Sequence, residues 1–435
     1  MLEWATCLKL RFLCNSAKPI TAMPLHLTQI PLIIRFNFLY PVPTLFRVNL
    51  VLALQNRDRV YDISISHWGF KDFGLQKALD NAFPMLETLS LSDAYTGRVL
   101  PPDFVAPRLR ALHLRNIAVS MGCLLLTNVM NLSSLRLENI QVIPLEYVVE
   151  SIASMPHLEN ISISFIPDST LSDAVMELPS TQITCVVLSR LSRLTFKGSS
   201  TYLENLLTQI ATPFLQDLRL TVFLKGIPSV VRLSAFLGTL QNLKFQTAVM
   251  SLSSQSIAIS CHSDQPSVAP PYAKFAICHY NAGGDGAHLG TSLLQICSAV
   301  ASALSDVESL AFELDCDSVF RLVITQPTFW RTFLQPFVSV KTLTIDVSFA
   351  VDLSIALRPD NGAVMTELLP VLSELVTVMA SKDLLLYTAR PFSSFSYARR
   401  FAGSPVDIVT RGVPQFRHHP PSLRPPPLSW SFDTF

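Results

Sequence analysis

Between residues 86 and 137 the apolar positions recur with one spacing. The stretches are Leu86-Glu87-Thr88-Leu89-Ser90-Leu91, Leu109-Arg110-Ala111-Leu112-His113-Leu114 and Leu132-Ser133-Ser134-Leu135-Arg136-Leu137. Each reads L-x-x-L-x-L, and the first leucines lie 23 residues apart both times. Apolar and polar residues alternate as on a half-buried strand. Each stretch therefore predicts a short strand with its leucines facing a core. The residues between the leucines, such as Glu87 and Ser90, face out.

The template extends in both directions. Val60-x-x-Ile63-x-Ile65 precedes it. Leu158-x-x-Ile161-x-Ile163, Leu191-x-x-Leu194-x-Phe196, Leu215-x-x-Leu218-x-Leu220 and Leu240-x-x-Leu243-x-Phe245 follow. The steps between first positions are 26, 23, 23, 26, 33, 24 and 25 residues. Between the strands the apolar spacing turns helical, as at Leu75, Ala78, Leu79 and Ala82 before Pro84, and again over 145–155. Strand, turn, helix and loop repeating every ~20–29 residues is the unit of a leucine-rich repeat. The expected fold is α/β: a solenoid of irregular leucine-rich repeats, with a curved parallel sheet on the concave side and helices on the convex side. No single unit can bury its own apolar edge, so neighbours must stack. The 33-residue step implies a loop insertion at about Asp168 to Gln182.

Elsewhere the pattern is weaker. Residues 1–55 read as an N-terminal lead-in and cap, with a strand-like run at Pro31–Ile34 and a short helix at Asn49–Asn56. Repeats occupy 56–245. Residues 246–305 lack the template and read as a β-rich interruption, with runs at Ser256–Ser260 and Tyr272–Tyr280, followed by a helix over Thr291–Ser305. The pattern resumes over 306–411 with Val307-x-x-Leu310-x-Phe312 and Val340-x-x-Leu343-x-Ile345, and a weak Leu372-x-x-Leu375. A helix with Trp330, Phe333 and Leu334 on one side precedes the second of these. A C-terminal capping helix is expected within 382–402, carrying Tyr387, Phe392, Phe395 and Tyr397. Residues 412–435 are rich in proline and read as a disordered tail.

Composition sharpens this picture. The chain is 49% hydrophobic and 15% charged, against ~25% charged in average domains. The most apolar window, Ile30 to Leu54, is interrupted by Arg35, Asn37, Pro41, Pro43, Arg47 and Asn49, so no membrane span is expected. A net charge of +1 from 33 basic and 32 acidic residues predicts neither a nucleic-acid groove nor an anionic membrane partner. The eight cysteines form no C-x-x-C and mostly sit in apolar stretches, which fits a reducing, cytoplasmic or nuclear setting. The N-terminus does not read as a signal peptide.

Candidate chemistry is sparse. Gly283-Gly284-x-Gly286 lacks the Lys-Ser/Thr of a phosphate-binding loop and reads as a turn. The histidines are dispersed and no G-x-S-x-G is present, so no catalytic residues, cofactor or metal are expected and the chain is not read as an enzyme. His418-His419 lies in the tail. The candidate site is the outward strand face: Glu87, Ser90, Arg110, His113, Ser133, Arg136, Glu159, Arg193 and Arg219, together with Ser162 and Gln216. Solenoids usually bind on such a face. Its mixed charge favours a protein partner. The chain is read as a monomer.

Several phrases in order carry a family resemblance. They are Asn56-Arg57-Asp58-Arg59-Val60, Phe83-Pro84-Met85-Leu86, Ala106-Pro107-Arg108-Leu109 and Leu135-Arg136-Leu137-Glu138-Asn139-Ile140. Later come Phe196-Lys197-Gly198-Ser199-Ser200-Thr201-Tyr202-Leu203-Glu204-Asn205-Leu206 and Ala402-Gly403-Ser404-Pro405-Val406. Over roughly residues 10 to 410 the chain resembles the F-box/leucine-rich-repeat proteins of mushroom-forming (basidiomycete) fungi. The resemblance implies a substrate receptor of a ubiquitin ligase, in which an F-box docks on a Skp-type adaptor and cullin while the repeats hold a protein substrate. An F-box opens with Leu-Pro and an acidic residue, followed by an amphipathic helix. Met23-Pro24-Leu25 lacks the acidic residue, so the F-box itself is expected to be missing from this polypeptide. A repeat-only protein-binding module with no ligase association is the alternative.

Overall fold

In the computed structural model of the chain, the described residues are 10–13, 31–37, 44–66, 73–93, 98–119, 124–127, 129–167, 185–224, 231–240, 244–252, 256–263, 271–279, 287–314, 327–358, 368–379 and 391–412. The expected loop insertion near 170, the stretch Asn281–Gly286, Tyr387 and the proline-rich tail lie outside them, apart from Gly412 at the start of that tail. The protein is mixed α/β and its strands are mostly parallel. Among the described residues no helix is long and apolar enough to cross a membrane.

In chain order the strands are β1 (Leu10–Leu13), β2 (Leu32–Asn37), β3 (Val60–Ser66), β4 (Thr88–Ser92), β5 (Arg98–Val99), β6 (Ala111–Arg115) and β7 (Ile117–Ala118). Then come β8 (Ser134–Ile140), β9 (Asn160–Phe165), β10 (Val186–Val187), β11 (Arg193–Ser199), β12 (Ile210–Ala211) and β13 (Asp217–Leu224). The last are β14 (Thr247–Leu252), β15 (Ser256–His262), β16 (Tyr272–His279), β17 (Ser309–Leu314), β18 (Thr342–Asp346), β19 (Glu374–Met379) and β20 (Asp407–Gly412). They belong to two compact units. Unit 1 is Met1–Phe245 with Gln255–Ala303, and unit 2 is Gln246–Ser254 with Leu304–Phe435.

In unit 1 the sheet order is β1-β2-β3-β4-β6-β8-β9-β11-β13-β16-β15. Every neighbouring pair is parallel except β15 with β16. The order does not close on itself. Register keeps one apolar row in line: Ile63, Leu89, Leu112, Leu135, Ile161, Leu194, Leu218 and Ala273 are successive partners. None of them is more than 2% exposed. Each large side chain so buried contributes roughly 1.5–3 kcal/mol, and a slip of one residue would turn the whole row to solvent.

A second regularity lies in the turn before each strand. The carbonyl of Glu87 accepts the N–H groups of both Arg110 and Ala111, at 2.8 and 3.0 Å. Arg110, Ser133, Glu159 and Ser192 repeat this toward the next strand in turn. The step from Gln216 differs. There a single N–H, that of Tyr272, is donated at 2.9 Å, because the preceding residue is Pro271 and has none. Asn116, just after β6, and Asn139, one residue before the end of β8, have φ of 57° and 50°, a region asparagine tolerates better than most residues.

Parallel neighbours need crossover connections. In unit 1 these include the helices Thr44–Leu54, Phe73–Leu79, Leu145–Ala153 and Ser200–Gln209. The last two bury Val148, Val149 and Ile152, and Tyr202, Leu203, Leu206 and Leu207, beneath the sheet. The Ser199 hydroxyl caps the second of them by accepting the Tyr202 N–H at 3.3 Å. The helix Val231–Thr239 is capped by a neighbour instead. The buried Glu204 carboxylate accepts the N–H groups of Arg232 and Leu233 at 2.7 and 3.0 Å. Gly198 is buried on the core side of β11. A Cβ there would lie 2.8 Å from the rings of both Phe165 and Phe196, which pack with Tyr202.

Unit 2 has the parallel order β14-β17-β18-β19-β20. Ala248, Leu310, Leu343 and Leu375 form its aligned row and are fully buried. The same paired turn hydrogen bonds run from Gln246 to Glu308 and Ser309, then through Lys341 to Ser373 and Glu374. Trp330 and Phe333, on the helix Pro327–Leu334, sit in a cluster with Phe312, Phe337 and Phe349. Arg399 is buried on the helix Ser393–Phe401 and donates to the carbonyls of Leu369, Pro370 and Leu372 at 2.9–3.2 Å.

Three local findings depart from the sequence pattern. Lys244–Gln246 forms no strand, so the template Leu240-x-x-Leu243-x-Phe245 does not mark one. The aligned pattern there is Phe245-x-x-Ala248-x-Met250, because Ala248 and Met250 pair with Leu310 and Phe312. The run at Tyr272 forms β16, which takes the place beside β13. The helix Ser393–Phe401 lies within the expected capping segment and carries Tyr397, which is 74% exposed, but β20 follows that helix.

Candidate functional site

The alternation that buries the leucines sets the intervening side chains on the other face of the sheet. In unit 1 this face has ordered rows. One row is Asp62, Thr88, Ala111, Ser134, Asn160, Arg193, Asp217, Tyr272 and His262. The next is Ser64, Ser90, His113, Arg136, Ser162, Thr195, Arg219, Lys274 and Ser260. The expected residues Ser90, His113, Arg136, Arg193 and Arg219 therefore stand on one surface.

Neighbouring side chains on this surface bond to one another. His113 lies between Ser90, whose Oγ is 3.3 Å from Nδ1, and Glu138, whose Oε2 is 3.4 Å from Nε2. Arg136 also pairs with Glu138. Burial alone would raise the Glu138 carboxyl, but the hydrogen bond from His113 and the charge of Arg136 bring it from 4.5 down to about 2. Arg193 Nε lies 2.9 Å from Asp217 Oδ2, and Arg219 Nε 2.9 Å from Asp217 Oδ1. The Arg219 guanidinium also lies 4.9 Å from the Tyr272 ring centroid, and Tyr272 in turn packs on His262. At the far edge Arg35 pairs with Asp62 at 3.1 Å.

The residues expected just before the strands behave differently. Glu87 accepts a hydrogen bond from the Tyr61 hydroxyl, which raises the Tyr61 pKa, and Arg110 Nε lies 3.8 Å from its carboxylate. The Ser133 hydroxyl is committed to the backbone, donating to the Arg110 carbonyl at 3.0 Å. Glu159 and Gln216 are exposed, and their carbonyls hold the next turn.

The arginines project while the carboxylates are recessed. Arg110, Arg136, Arg193 and Arg219 expose 47–68% of their side chains, and Glu87, Glu138 and Asp217 expose 15–23%. A mostly hydrophilic strand face of this kind can bind another surface. Among the described residues no three His, Cys, Asp or Glu side chains come together as a metal site. Cys261 and Cys297 are free and buried, with burial pushing the Cys261 thiol up to about 12.

Reading mainly positions two and five of the template as outward, with Arg193 at position three, missed Asp62, Glu138, Asp217 and Lys197. Positions three and seven share the face with position five, so the signal was the alternation itself carried one residue further each way. Lys274 and Tyr272 stand on β16, where no leucine template announced a strand.

No protein-family model matches the chain, and no curated protein matches it.

Proposed function

We propose that the chain is a leucine-rich-repeat scaffold that recognises a protein partner through the outward strand face of unit 1. The observation that carries this reading is the projecting arginine series over recessed carboxylates, set out on neighbouring strands in register. Guanidinium groups on a rigid sheet lose little freedom on meeting a partner and suit planar polar recognition. The 23-residue step, the aligned leucines and the repeated turn hydrogen bonds support the repeat description.

The resemblance to fungal F-box/leucine-rich-repeat proteins narrows the role to substrate receptor of a ubiquitin ligase, the partner being a protein to be ubiquitinated. A repeat-only module with no ligase association is the competing form. Two experiments separate these readings. A photo-crosslinker placed at Arg136 should capture a protein partner that one placed at the exposed helix residue Val231 does not. Equal yields from both sites would sink the face assignment. A purified Skp-type adaptor retained by the chain supports the ligase role, and its absence from the eluate leaves the repeat-only module.

A further inference from the structure

The outward face of unit 1 is uneven in charge. On β11, β13 and β16 it carries Arg193, Lys197, Arg219 and Lys274 against one carboxylate, Asp217. Both arginines already share that carboxylate. Among the described residues no carboxylate pairs with Lys197 or Lys274. The Lys197 ammonium stands 5.5 Å from the Phe223 ring centroid, and both ammonium groups act on the half-buried Cys278 thiol of the neighbouring strand. Phe223 and Ala276 form an apolar floor, at 9% and 6% exposed. Lysines without a carboxylate on one strand face favour an anion beside them.

The cations are also spread. Arg219 and Lys274 are direct cross-strand partners, and Lys197 lies two residues along from Thr195, the partner of Arg219 on β11. With strands ~4.8 Å apart and side chains on one face ~6.6–6.8 Å apart along a strand, the charges are spaced like the successive acidic side chains of an extended peptide. A single compact anion would use one pair of them.

We propose that the β11–β13–β16 face of unit 1 binds an extended, Asp/Glu-rich segment of the protein partner, with carboxylates seated between Lys197 and Lys274 and beside Arg219. This rests on the protein-recognition reading above and names the chemistry of what is recognised. Charge complementarity selects it: the chain as a whole is nearly neutral at +1, so three excess cations on three strands are a local feature.

The test is fluorescence anisotropy with the full chain and a labelled oligoglutamate peptide. Affinity should fall at least about tenfold in the Lys197→Glu/Lys274→Glu double variant and fall steeply with added salt. The Lys77→Glu variant, on an exposed helix position, should bind as the parent does. The milder Lys197→Gln/Lys274→Gln pair serves if the reversal disturbs folding, and should show an intermediate loss. Oligoglutamate binding that ignores both double variants overturns the proposal. So does tighter binding, by about tenfold, of an equally charged phosphoserine peptide or oligouridylate. If oligoglutamate binds through these lysines while no crosslink forms from the strand face, the scaffold reading fails and the cationic site stands. Crosslinks without lysine-dependent peptide binding overturn the cationic site and leave the scaffold reading intact.

Discussion

Strands β2 to β8 and strands β11, β13 and β16 of unit 1 bury the same kinds of side chain and expose different chemistry. In the first group Arg35, Arg110 and Arg136 each face their own carboxylate, on Asp62, Glu87 and Glu138. In the second, two arginines divide Asp217 and two lysines have no carboxylate among the described residues. Between them β9 offers Asn160, Ser162 and Ser164, which carry no charge. The difference shows that one kind of buried row can carry two kinds of outward chemistry. Charge matched strand by strand makes a neutral, hydrogen-bonding surface. Charge left over is what the proposed acidic segment would complement.

The largest effects test whether the two groups really share one kind of core. Leu112 and Leu218 are 1% and 0% exposed on equivalent positions. Leu112→Asp and Leu218→Asp should each destabilise by about 3–5 kcal/mol, since an unpaired charge enters the interior. Denaturant melts of the two variants measure this, and a wide gap between them would break the comparison. Next is Gly198→Ala, where the new methyl meets two packed rings. A loss of about 1–3 kcal/mol is expected, read as a lower denaturation midpoint. Unchanged stability would mean that the Phe165, Phe196 and Tyr202 cluster yields freely.

Smaller effects address the outward faces. Asp217→Asn releases two arginines and should strengthen oligoglutamate binding several-fold, whereas Glu138→Gln should leave it unaltered. Equal responses would erase the contrast. Acid should reach the matched group through Glu138. Its pKa is about 2 in the folded chain against an ordinary 4.5, so its stabilisation is complete above pH 4.5 and is lost as pH falls from 4.5 toward 2. Melting temperatures of the parent and Glu138→Gln should therefore converge across that window. The smallest effect is at Tyr202, whose buried hydroxyl has no hydrogen-bond partner among the described residues. Tyr202→Phe should be neutral or stabilise by up to about 1 kcal/mol, and a clear loss would reveal a hidden partner for the hydroxyl.

Legibility in the sequence followed the leucines. From Ile63 to Leu218 the template located every strand of the aligned row, because branched aliphatic side chains at period two have one face on which to be buried. The outward candidates Ser90, His113, Arg136, Arg193 and Arg219 came with it. Where small residues replaced leucine the signal faded. Ala273 and Ala248 hold the same row positions as Leu218 and Leu310 without fitting the leucine template; the run at Tyr272–Tyr280 marked a strand but not its place in the row. The same fading drew the template onto Leu240–Phe245, where Leu240 and Phe245 are buried without forming a strand.

By itself the sequence determined the period, the inward face of most strands and the polar character of the outward one, since local alternation suffices for each. The tertiary structure alone decided which strand lies beside which. It placed β16 against β13 across a long separation in the chain and laid β15 antiparallel to it. It gave Asp217 two arginines and brought Lys197 and Lys274 onto one outward face. Pairing of that kind depends on neighbours contributed by distant segments, and no spacing along a single strand encodes it.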